Sequence, residues 1–157
     1  MRFNAKQDIE APLEFVQQSL SDFEAWERAA MRRGVEVSRT DKLRQSGPGM
    51  SWLSHFSYRG KQRTVTIELT GLDPVGHLAF SGSSASVGAE VAIDLLEMAA
   101  RRTRLQILME VKPKTLGARL FLQSLRLARA RVDKNFDLRI AQLAADIEAK
   151  YRTSRRA

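Results

Sequence analysis

From Arg2 to Glu10 the chain alternates strictly, with Phe3, Ala5, Gln7 and Ile9 on one side of an extended segment and Arg2, Asn4, Lys6 and Asp8 on the other. That period of two is the pattern of a half-buried strand. Pro12 ends it and suits the first turn of a helix, where its missing N–H would have no partner; Phe15, Val16 and Leu20 continue at helical spacing. Ser21 and Glu24 read as a Ser-x-x-Glu capping box opening a second helix whose apolar side is Phe23, Trp26, Ala30 and Met31. Gly34, after Arg32 and Arg33, supplies the left-handed residue that closes it.

Beyond Gly34 the alternation returns. It predicts strands near Val35 to Thr40, Met50 to Arg59, Gln62 to Gly71, Gly76 to Gly82, Gly88 to Glu97 and Thr103 to Lys112. Poor strand formers separate them, among them Ser46-Gly47-Pro48-Gly49, Arg59-Gly60, Asp73-Pro74 and Ser81-Gly82-Ser83-Ser84. Consecutive short connections imply an antiparallel meander. From Thr115 to about Tyr151 the period becomes helical through Ala118, Phe121, Leu125, Val132, Phe136, Leu143 and Ile147, with no glycine or proline after Gly117. One uninterrupted helix about 55 Å long is expected.

The 157 residues suit a single domain, residues 1–151, followed by a basic tail, residues 152–157. With 43% hydrophobic and 28% charged residues the composition is that of a globular protein. Cysteine is absent, which excludes disulfides, thiolate metal sites and cysteine nucleophiles. Neither a secretory signal pattern nor an apolar run of membrane-spanning length is evident, so a soluble cytoplasmic protein is expected. The net charge of +8 is spread over both the strands and the last helix. It fits either a solvated surface or attraction to nucleic acid, an anionic membrane surface, or an anionic ligand or partner.

The order strand, two helices, six strands and long helix resembles the helix-grip superfamily, which includes StAR-related lipid-transfer domains, birch-pollen-allergen-like proteins, polyketide cyclases and SRPBCC proteins. The residues that carry the likeness are Ala11-Pro12, the segment Ser21-Asp22-Phe23-Glu24-Ala25-Trp26, and the hairpin from Leu95 to Thr103 leading into Arg104-Leu105-Gln106-Ile107. The resemblance implies an α+β fold with a curved antiparallel sheet of about seven strands around the C-terminal helix, and a hydrophobic cavity between them. A shared fold does not select a function.

Alternation assigns the side chains that face this expected cavity. Among the apolar positions Trp52, Phe56, Ile67, Phe80, Ile93 and Ile107 are candidate ligand contacts from the strands, and Phe121, Leu125 and Phe136 from the helix. The polar exceptions on the same side are Arg39, Ser54 and the hydroxyl of Tyr58, with Gln7. Arg39 either holds a ligand carboxylate or phosphate through its planar fork or reaches solvent from a strand end. His55, Glu68, His77, Glu90, Asp94 and Glu110 fall on the opposite face, out of reach of a substrate in the cavity. No inward acid–base pair, metal-ligand spacing or phosphate loop is present in the pattern, and no cofactor or metal is expected.

These readings predict a binding or carrier protein for a small hydrophobic ligand, with or without an anionic group: a lipid, a quinone precursor or an aromatic metabolite. Access is expected through the loop Asp41 to Gly49 and the Ser81 to Ser86 turn. One alternative is a polyketide cyclase- or dehydratase-like enzyme in which Tyr58, Arg39 and Ser54 polarise a carbonyl. Another is an interaction module docking on an anionic membrane or partner through Arg119, Arg126, Arg129, Arg131 and Lys134. Specific nucleic-acid binding is not expected, because few aromatics are interleaved with these charges.

Overall fold

Residues 2–113 resolve into seven strands and two helices: β1 (Arg2–Ile9), α1 (Leu13–Leu20), α2 (Phe23–Arg32), β2 (Glu36–Arg39), β3 (Ser51–Tyr58), β4 (Lys61–Asp73), β5 (His77–Ser83), β6 (Val87–Ala99) and β7 (Arg102–Pro113). Helices α3 (Leu116–Leu127) and α4 (Arg129–Arg156) complete a computed structural model that describes residues 1–156. All strand pairs are antiparallel, in the order β1-β7-β6-β5-β4-β3-β2. The first two strands in sequence thus lie at opposite edges, and α1 and α2 carry the chain between them. No helix among the described residues is long and apolar enough to cross a membrane.

Register confirms the alternation. Leu105 pairs with both Gln7 and Leu95, Ile107 with Ala5 and Ile93, and Phe80 with Leu69 and Val91, so these positions share the concave face. A bulge between Leu69 and Gly71 shifts the parity of β4, which turns Leu72, opposite Leu78, onto the core side. The two-residue turn between β3 and β4 has positive φ at both Arg59 (52°) and Gly60 (76°), the left-handed pair that matches the twist of a tight hairpin.

Two expectations about helices are corrected. The N-cap of α2 is Asp22, not Ser21: an Asp22 carboxylate oxygen accepts from Ala25 N at 3.2 Å, and a carboxylate at that position also faces the positive end of the helix. The long helix is two helices, broken at Ala128, which leaves helical geometry (φ −112°, ψ 28°) without any glycine or proline. Tertiary contacts just beyond hold the bend. The Arg129 guanidinium bonds Asp133 (3.0 Å) and the carbonyl of Arg2, and lies over the Phe3 ring 5.0 Å from its centroid. The second helix, α4, continues through Arg152, Arg155 and Arg156.

One tightly packed region lies where α4 crosses β1. Ile140, Ala144 and Ile147 of the helix are buried against Ala5, Ile9 and Leu105, and Phe136 meets Phe3 with ring centroids 5.7 Å apart. Thr103, fully buried here, donates its hydroxyl to the carbonyl of Ala11 at 2.8 Å, so its burial leaves no polar group unmet.

Candidate functional site

A cavity of about 490 Å³ opens between α2, the concave face from β2 to β6, and Leu143 of α4. Its floor is Trp52, Ser54 and Phe56 of β3, Ile67 of β4, Phe80 of β5 and Ile93 of β6; its roof is Phe23, Trp26, Glu27 and Ala30 of α2, with Leu20 of α1. Val35 and Val37 close the side at the edge strand β2. The volume suits a small-molecule site.

Local sequence builds this roof. Gly34 (φ 87°) follows the last turn of α2, Gly34 N donates to Met31 O and Val35 N to Ala30 O, both at 3.0 Å. This double closure of the helix end reverses the chain and sets Val35 beside Ala30 on the same wall. Phe23 is held from beneath by Trp52 and Phe80, with centroids at 5.5 and 6.3 Å. The apolar side of α2 therefore faces the void rather than a second packed layer; Trp26 remains 43% exposed and Phe80 and Ile67 are only half-buried.

Polar groups on the lining are few. The Trp52 indole N–H donates to Glu27 Oε1 at 3.1 Å, and Glu27 is the one ionisable side chain on the wall among the described residues. Ser54 is buried and donates its hydroxyl to Val65 O at 3.0 Å, so its proton is committed within the sheet. Trp26 donates its indole N–H to Leu20 O at 3.2 Å. The arrangement offers an apolar guest aromatic and aliphatic walls and a single carboxylate acceptor.

Of the residues predicted to contact ligand, the structure gathers Trp52, Ser54, Phe56, Ile67, Phe80 and Ile93 around this cavity. The other six lie elsewhere. Arg39 has inward parity but sits in the last residue of β2, where its guanidinium passes over the Trp52 ring (5.7 Å) and bonds both oxygens of Asp41 at 2.7 and 2.6 Å. That hydrogen-bonded pair raises the Arg39 pKa and holds the Asp41 carboxyl far below the usual range, helped by the N–H groups of Ser51 and Leu43. Tyr58 is 54% exposed because β3 ends there, beyond the reach of the helical roof. Ile107 and Phe136 belong to the packed region under α4, and the bend at Ala128 carries Phe121 and Leu125 away from the cavity. Arg39, Ser54 and Tyr58, the groups expected to polarise a carbonyl in the enzyme alternative, do not converge.

The lining residues that strand alternation did not supply come from the helices: Leu20, Phe23, Trp26, Glu27 and Ala30, with Leu143; Val35 and Val37 have inward parity by alternation, though they were not among the candidate ligand contacts. The apolar side of α2 was visible in the pattern; that it borders space and not core was not. The outward titratable groups remain outward: His77 Nδ1 lies 2.7 Å from Asp94 across β5 and β6, and His55 Nδ1 3.0 Å from Thr64 Oγ1. The loop after β2 is tied down by the Asp41 contacts to Leu43, Ser51 and Arg39.

No protein-family model matches the chain, and no curated protein matches it. Solved structures do. The Zhui aromatase/cyclase from Streptomyces sp. R1128 superposes with a TM-score of 0.61 at 18% identity, covering 90% of this chain and 93% of that one. The protein TTHA0849 from Thermus thermophilus gives 0.66 at 17% identity over 98% and 99%. A START superfamily protein from Mycobacterium smegmatis gives 0.56 at 11% identity over 85% and 95%. At such identities the likeness concerns the fold alone. A seven-stranded antiparallel sheet curled toward a long C-terminal helix, shared with these proteins over nearly the whole chain, is the helix-grip fold.

Proposed function

We propose that this protein binds a small apolar molecule in the cavity beneath α2, as a carrier or receptor without chemistry of its own. The observation that supports this most is the wall itself: about 490 Å³ of space surrounded by aromatic and aliphatic side chains, with one carboxylate and no acid–base pair among the described residues. The apolar body of the ligand gains from leaving water, roughly 25 cal/mol per Å² buried. Orientation comes from Glu27, whose carboxylate accepts from a ligand hydroxyl, phenol or amine. With the Arg39 fork turned to Asp41, no cation among the described residues of the wall favours an anionic ligand, so the reading here is a neutral or donor-bearing one.

Native mass spectrometry of protein purified from its own host, followed by denaturing extraction, tests this. A recurrent hydrophobic adduct is expected, and Ile67→Trp, which places an indole in the void, should abolish it while leaving the fold intact. Protein that is empty, and shows no thermal shift with a panel of lipids and aromatic metabolites, would overturn the reading.

A further inference from the structure

Helix α3 contributes no buried residue to the fold. Its half-buried positions, Ala118, Leu122 and Leu125, fall on one side. The opposite side carries Leu116, Leu120 and Leu127, which at 100° per residue fall within about 40° of one another and point away from the sheet. They are 71%, 58% and 92% exposed; Phe121, 51% exposed, lies about 100° round the helix from Leu120, beside Leu125, and is not part of the stripe. Exposed leucines scattered singly would need no explanation, but three aligned along one face of a short helix form a patch.

Charge decides what covers it. Arg119 and Arg126, seven residues apart, run along one flank of the leucines and are exposed. Lys112 and Lys114 precede the helix, Arg129 and Arg131 follow it, and between Val111 and Val132 there is no aspartate or glutamate. Arg129 is occupied by Asp133 and the Arg2 carbonyl; the cations beside the stripe itself have no acidic neighbour on α3. A second copy of this chain would bring like charges together, which opposes self-association. An anionic bilayer satisfies both features at once, taking the leucines between its acyl chains and the arginines among its headgroups.

We infer that α3 is a membrane-docking helix, lying in the surface of an anionic bilayer with Leu116, Leu120 and Leu127 inserted and Arg119 and Arg126 at headgroup level. The bend at Ala128 leaves α4 free to keep the fold together while α3 presents this face. Docking is independent of the cavity, since no α3 residue lines it.

The test is sedimentation with large vesicles of phosphatidylcholine alone and of an equal mixture with phosphatidylglycerol. The protein should pellet with the mixed vesicles and not with the neutral ones. The double variants Leu120→Gln/Leu127→Gln and Arg119→Gln/Arg126→Gln should each weaken binding roughly tenfold or more. Both replace exposed side chains, so thermal unfolding should stay that of the parent. Failure to pellet with mixed vesicles overturns the inference. So does binding that survives loss of the leucines, which would be plain charge attraction, or a dimer in sedimentation velocity that the leucine variant dissociates.

Discussion

The concave face of the sheet is treated differently at its two ends. Toward β1 and β7 it is dry: Ile9 and Leu105 have no exposure, and α4 lays Phe136, Ile140 and Ile147 directly on them. Toward β3, β4 and β5 equally apolar positions, Phe56, Ile67 and Phe80, look into a void. Hydrophobicity does not distinguish the two ends. Reach does: six inter-strand steps of about 4.8 Å make the sheet roughly 29 Å wide, whereas a helix with its side chains is about 10–12 Å across. One helix over β1 cannot also cover β3, and α2, bridging toward the far edge, spans the remainder without filling it.

The strongest way to break this comparison is to delete matching side chains at the two ends. Leu105→Ala should cost about 2–5 kcal/mol in urea unfolding, because dense surroundings cannot collapse around the hole. Ile67→Ala should cost about 1 kcal/mol, since part of that side chain is already bare and little new void is made. Equal losses at both positions would mean that the far end is as tightly packed as the near one.

A finer probe uses the one charge on the cavity wall. With a matched pair of ligands, a fatty alcohol and the fatty acid of equal length, the parent protein should prefer the alcohol. Glu27→Gln removes the repulsion of a carboxylate in a poorly solvated wall and should narrow that preference by roughly fivefold, as read by calorimetric titration. An unchanged ratio would place the ligand head away from Glu27.

The smallest effect is expected at the rim. The Arg39 guanidinium and two backbone N–H groups hold the Asp41 carboxyl well below its ordinary range. A lowered carboxylate stabilises the fold above the pKa it has when unfolded, about 4, and that contribution is lost as pH falls through this value toward Asp41's own lower one. Thermal unfolding of Asp41→Asn should therefore lie slightly below the parent at neutral pH and converge with it in acid. A gap that is constant with pH would assign the loss to packing of the loop instead.

Much of this was legible in the residue pattern, and the exceptions share a cause. Strand parity placed Trp52, Ser54, Phe56, Ile67, Phe80 and Ile93 on one face because backbone pleating alone decides which side a residue takes. Parity also placed Arg39 and Tyr58 there, and both left the site because they stand at strand ends, where nothing above them closes the cavity. Periodicity from Phe121 to Phe136 read as one helix face, since no residue between them breaks a helix. At the bend, Arg129 contacts Phe3 and the Arg2 carbonyl, which lie at the start of the chain and outside any local spacing.

By itself the sequence determined the strands and the first two helices, their order, the side of the sheet each strand residue takes and the two caps of α2 to within one residue, because these depend on neighbours a few positions away; the split of the last helix into α3 and α4 it did not. The tertiary structure alone decided where α4 lies across the sheet, that α2 roofs a space instead of a core, that Glu27 and not Arg39 faces it, and that α3 is left with bare leucines. Those outcomes depend on the widths and placements of whole elements, which no local spacing of residues encodes.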